Sequence, residues 1–61
     1  MLTDKEKQVL RLIAEGLTKT QIAESMYISE GTVRKHCENI RNRLNARNLS
    51  QAVFIYYGTE S

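Results

Sequence analysis

Proline and tryptophan are absent from this chain, cysteine and histidine occur once each, and glycine only three times. Without proline, no residue forces a break in a helix. The lone Cys37 excludes an internal disulfide, and no His/Cys cluster offers a metal site. No apolar run is long enough to span a bilayer and no cleavable leader is visible, so the expectation is a soluble, cytoplasmic protein that does not engage a membrane. No nucleophile–base pair or carboxylate pair can be assembled, which argues against an enzyme, and no cofactor is expected.

What is present is short and basic in one place. Sixty-one residues make a single domain, 1–61, with a net charge of +2. A chain of this length buries only roughly 60% of its unfolded surface, so extra stability must come from close helix packing or from a partner chain. The charge is unevenly spread. Between Thr32 and Asn48 stand Arg34, Lys35, Arg41, Arg43 and Arg47 against Glu38 alone, whereas residues 1–31 are slightly acidic. A local excess of this kind is the electrostatic footprint of a nucleic-acid binder.

The remaining signals are helical. Four helices are expected, over about residues 4–15, 19–26, 30–44 and 51–57, giving an all-α, four-helix bundle-like helix-turn-helix domain. Three helix starts share one grammar, an apolar residue before a Ser or Thr cap and another four positions after it. These are Leu17-Thr18 with Ile22, Ile28-Ser29 with Val33, and Leu49-Ser50 with Phe54. Thr18 with Gln21, and Thr3 with Glu6, have capping-box spacing. Gly16 stands where the first helix should stop.

Helical periodicity then assigns faces. The first helix buries Val9, Leu10, Ile13 and Ala14, with Leu17 continuing the stripe, and turns Leu12 outward. Glu6 lies near the middle of that apolar face, either as a capping-box member alone or paired with a base from the later half of the chain. In the second helix Ile22, Ala23 and Met26 face inward. The third helix has the stripe Val33, Cys37, Ile40 and Leu44, which leaves Gly31, Arg34, Lys35, Glu38, Arg41 and Asn42 outside. Cys37 reads as a small core residue. The last helix is apolar on every side, so it either sinks into its own core or pairs with the same helix of a second copy.

A short helix, a three-residue turn and a longer basic helix are the parts of a major-groove reader. The expected base contacts are Arg34 and Lys35, early on the third helix, with guanine O6 and N7 as acceptors. Glu38, one turn on, either accepts from cytosine N4 or pairs with Arg34 or Asn42 as a surface charge. Phosphate contacts are expected from Ser29 and Thr32 at the helix start, from Lys19 and Thr20 on the second helix, and from Arg41 at best to the backbone. His36 is either a phosphate donor or a boundary core residue. Asn39 is expected to tie the helix to a loop. For the last helix the expected dimer surface is Ala52, Val53, Ile55, Tyr56 and Tyr57.

With these residues placed, the chain closely resembles the LuxR-type (GerE- or FixJ-type) helix-turn-helix domain of bacterial transcription regulators. The likeness runs from about Leu2 to Tyr57. It is carried by Leu2-Thr3 with Glu6, Val9-Leu10, Ile13-Ala14-Glu15-Gly16-Leu17, Ile22-Ala23, Ile28-Ser29, Thr32-Val33-Arg34, His36, Asn39-Ile40, Leu44 and Gln51-Ala52-Val53. The resemblance implies a third helix that reads the major groove of double-stranded DNA and a fourth that dimerises, so that a homodimer meets an inverted repeat. The chain departs from the family pattern at Asp4, Thr20 and Leu49, where many relatives have proline, lysine and arginine. The lysine stands instead at Lys19, and the missing arginine leaves Arg43 or Arg47 as partner for Glu6. Two other readings compete. One is a promoter binder like region 4 of bacterial sigma factors, with RNA polymerase as partner. The other is a protein-interaction module that pairs with a larger regulator through Ile55, Tyr56 and Tyr57.

Overall fold

The computed structural model describes residues 1–58. It is all-α, with four helices: α1 (Asp4–Ala14), α2 (Lys19–Met26), α3 (Glu30–Leu44) and α4 (Leu49–Tyr57). No strand occurs among the described residues.

The helix starts follow from side chains that satisfy orphan backbone donors. The Thr3 hydroxyl accepts from the Glu6 amide at 3.1 Å while Glu6 Oε1 accepts from the Thr3 amide at 2.9 Å, closing a reciprocal box. Thr18 and Gln21 repeat it on α2 at 3.1 and 2.9 Å. Ser29 caps α3 by accepting from the Thr32 amide.

The start of α4 differs from expectation. Asn48, not Ser50, is the cap, accepting from the Gln51 amide at 2.8 Å, and the Gln51 side chain in turn accepts from the Arg47 amide at 2.6 Å. Asn48 and Gln51 have the three-residue spacing of a capping box, whereas three residues after Ser50 comes Val53, which has no acceptor to return. The helix therefore begins two residues early. The expected Leu49–Phe54 staple does not close it, and Phe54 is 72% exposed.

Three helix ends share a second device. Gly16 (φ 96°), Tyr27 (φ 58°) and Asn45 (φ 54°) occupy the left-handed region. In each case the next amide donates to the carbonyl five residues back: Leu17 to Leu12, Ile28 to Ala23 and Ala46 to Arg41. Each of those three following residues is apolar and packs against the core, completing a Schellman-type ending. The first helix accordingly stops at Ala14, with Glu15 as its cap.

The core centres on Val9, Leu10, Ile22, Val33 and Ile40, all fully buried. Helix α3 packs against α1, α2 and α4, and α1 packs against α2 and α4, but α2 and α4 flank α3 without packing on one another. Because α1 meets all three other helices, its buried sector is wider than one stripe. Leu12 is buried rather than exposed, and Ala14, at the opposite edge, is exposed rather than buried. Small Ala23 is buried and Ile28 half-buried beside it, as the corner between α2 and α3 requires.

Glu6 is 2% exposed within this core, and it is not a capping-box member alone but also the partner of a base from the later half of the chain. Besides the box with Thr3, its Oε1 receives Arg43 Nε at 3.1 Å, and Arg43 also donates to the Met1 carbonyl at 3.4 Å. Arg43 is therefore the substitute partner, and it bolts the end of α3 to the start of α1.

Candidate nucleic-acid interface

Fifteen residues of α3 present two faces. Val33, Cys37 and Ile40 are buried and Leu44 half-buried, so the opposite side is held outward by the core itself. At its crest, where the helical angle is farthest from the core stripe, stand Gly31, Lys35, Glu38 and Asn42. All four are exposed. Arg34 and Arg41 lie on one flank of this crest; Thr32, His36 and Arg43 lie on the other.

The ion pairing on the crest is Lys35 with Glu38, Nζ to Oε1 at 3.8 Å, rather than Glu38 with Arg34 or Asn42. Both side chains are more than half exposed, so the pair is worth little and either partner is free to exchange it for a base edge. Arg34 is exposed and has no carboxylate within ion-pair distance among the described residues.

At the start of α3, the Ser29 and Thr32 hydroxyls lie 2.9 Å apart and share one hydrogen, leaving the other available to an acceptor. Thr20 is different. Its hydroxyl donates to Glu30 Oε2 at 3.0 Å, which uses its single hydrogen and places a carboxylate beside it. In the absence of DNA this exposed bond ties the starts of α2 and α3. His36 is half-buried and without a side-chain hydrogen bond among the described residues, and Asn39 makes no bond to a loop there.

Between α2 and α4, where the two helices do not meet, an open cleft of about 500 Å³ runs along the flank of α3. Arg34, Cys37, Glu38 and Arg41 form its floor, with Lys19 on one wall and Arg47, Asn48, Leu49 and Ser50 on the other. Cys37 is 4% exposed; its thiol is pushed up by burial, while the charges of Lys19 and Arg41 pull the other way. The sequence places Lys19 and Arg41 as separate contacts and counts Arg47 only in the basic excess or as a partner for Glu6. The signal available was the local charge excess, but only the packing brings residue 47 back beside residue 34.

On α4, Ala52 is fully buried in its own core and presents no surface to a partner, contrary to expectation. Val53, Tyr56 and Tyr57 are half-buried, with the two tyrosine rings edge-to-face at 5.0 Å. The outward apolar residues are Phe54, which its spacing from Leu49 assigns to a staple, and Ile55.

A three-residue turn, 27–29, joining α2 to a longer helix with a buried stripe and a basic exterior defines a helix-turn-helix domain. The pattern of one family, described as bacterial regulatory proteins of the luxR family, matches residues 1–56. The chain belongs to that family. It is 40% identical over 53 residues to the spore germination protein GerE of Bacillus subtilis, covering 87% of this chain and 72% of that protein. It is 43% identical over 56 residues to a nitrate/nitrite response regulator protein homolog of Haemophilus influenzae, covering 92% of this chain and 27% of the relative. The transcriptional regulatory protein LnrK of Bacillus subtilis is 42% identical over 59 residues, again with 27% of its length matched. The chain thus spans about a quarter of these two longer relatives. No helix among the described residues is long and apolar enough to cross a membrane.

Proposed function

We propose that this chain binds double-stranded DNA sequence-specifically to regulate transcription in the bacterial cytoplasm, with the crest of α3 in the major groove. The observation that carries this is the two-faced α3: its apolar stripe is locked in the core, so Lys35, Glu38 and the flanking Arg34 are held outward on a rigid element. Membership of the family and the regulatory names of the relatives support the same reading. Lys35 and Arg34 donate to guanine, and Glu38 accepts from cytosine. Ser29, Thr32, His36, Lys19 and Arg41 contact phosphates and set the register of the helix. Two copies pair through α4, by Phe54 and Ile55 with Val53, Tyr56 and Tyr57 behind them, and meet an inverted repeat whose half-sites are about one helical turn apart.

Selection of binding sites from a random duplex pool at physiological salt tests this. The expected result is a two-fold symmetric site, with Lys35→Ala losing about 1–3 kcal/mol and relaxing preference at one base pair per half-site. Failure of the wild-type chain to enrich any sequence would overturn the proposal.

A further inference from the structure

The chain has nine lysine and arginine side chains, and among the described residues three of them are in ion pairs: Arg11 with Glu15, Lys35 with Glu38 and Arg43 with Glu6. Of the other six, four line the cleft between α2 and α4: Lys19, Arg34, Arg41 and Arg47. Among the lining residues the single carboxylate is Glu38, and that group is turned to Lys35. Cations gathered without counter-charge repel one another, and such a cleft concentrates a polyanion. Its form narrows the choice of anion. It is an open trough beside the crest of α3, with polar walls at Asn48 and Ser50, and so suits a chain of phosphates passing through it better than an enclosed small molecule.

We propose that this cleft is a seat for the DNA backbone. The strand running beside the half-site lays consecutive phosphodiesters along the flank of α3, held by Arg41 and Arg47 with Lys19 from the opposite wall. This rests on the DNA-binding reading above and extends it to the junction of α3 and α4. Arg47 becomes a positioning residue for recognition, setting how far α3 enters the groove without reading a base. Arg34 borders both regions, so its long side chain serves the seat when it is not engaged by a base.

The test is the salt dependence of affinity for the selected duplex and for a scrambled one. Wild type is compared with Arg41→Gln, Arg47→Gln, Arg47→Lys and, as a control, Lys7→Gln, a base on α1 outside the cleft. Removing one cation that neutralises a phosphate should flatten the plot of log affinity against log salt by about 0.9 for each bound copy, and so by about 1.8 for two copies on the selected duplex. Arg41→Gln and Arg47→Gln are expected to do this and to weaken both duplexes equally. Each should also abolish one position of phosphate-ethylation interference in each half-site, outside the recognised bases. Arg47→Lys should restore the slope, and Lys7→Gln should leave it unchanged. Thermal unfolding of each variant verifies that it is folded.

An unchanged slope in folded Arg41→Gln and Arg47→Gln would overturn the seat while leaving base recognition standing. The converse result, no sequence preference in the wild type but a flattened slope in the variants, would support the seat and remove the base-reading assignment. Absence of any DNA binding would overturn both. Tight binding of inorganic tripolyphosphate at these residues, with no change in the interference pattern on DNA, would reassign the cleft to a free anion.

Discussion

At Cys37 two influences oppose one another, and burial wins over the nearby charges of Lys19 and Arg41, so the folded thiol holds its proton above the usual value near 9.0. In the unfolded chain the same thiol ionises at its ordinary value. Between the two, unfolding releases a proton, so the stability that Cys37 supplies is complete below about pH 9 and declines as the pH rises. Denaturant titrations of wild type and Cys37→Ala at about pH 8 and about pH 10 should therefore show a larger loss for wild type. Parallel losses would mean that the thiol ionises equally in both states. Phe54 teaches a different lesson at this scale. Its apolar character suggested burial in a staple, yet a two-residue shift in the helix start changes its angular position relative to the cap by about 200°. That shift was readable in the Asn48-to-Gln51 spacing; Ser50 drew the cap because a serine after a leucine repeats the pattern of the earlier helices.

Among the elements, α1 and α3 are joined by more than apolar contact. The Glu6 side chain is 3% exposed and Arg43 45%, and their ion pair links the first turn of one helix to the last turn of the other. Removing the arginine would leave a buried carboxylate with the Thr3 amide as its remaining donor. Arg43→Met is expected to cost about 1–3 kcal/mol, less than a fully buried pair because water reaches the guanidinium. For a domain of this size that lowers the unfolding midpoint by about 4–8 °C per kcal/mol, read by circular dichroism. Adding Glu6→Gln should recover part of the loss; strictly additive effects would show that the two groups act independently. The sequence offered both possible partners, Arg43 and Arg47, on equal terms. Only the packing of α3 across α1 brings Arg43 to Glu6 and leaves Arg47 at the cleft.

For the molecule as a whole, the pairing surface proposed for a second copy is the exposed side of α4, away from the buried Ala52. Phe54 contributes little to the fold of one chain because it is mostly outside it. Phe54→Ser should therefore change the unfolding midpoint of the isolated chain only slightly, within about ±0.5 kcal/mol in stability. It should also shift the mass seen by sedimentation from dimer toward monomer and weaken binding to a two-half-site duplex more than to a single half-site. Equal weakening on both duplexes would move Phe54 from the pairing surface to the DNA-facing one.

Local physics made most of the architecture readable in the chain. Caps at Thr3, Thr18 and Ser29 act within three residues, and the stripe Val33, Cys37, Ile40 recurs at helical spacing, so the first three helix starts, the inward face of α3 and the charged exterior are all legible along the chain. Other features depend on how distant segments meet and arise with the packing of the four helices. The sector of α1 that is buried depends on three neighbours, which is why Leu12 and Ala14 exchanged places. Thr20 meets Glu30 because α2 and α3 begin side by side. Arg34, Arg41 and Arg47 share a cleft with Lys19 because α2 and α4 leave a gap over α3. Periodicity specifies a direction around one helix axis, whereas charge convergence requires the relative placement of several axes, and that is set by the packing of the whole core.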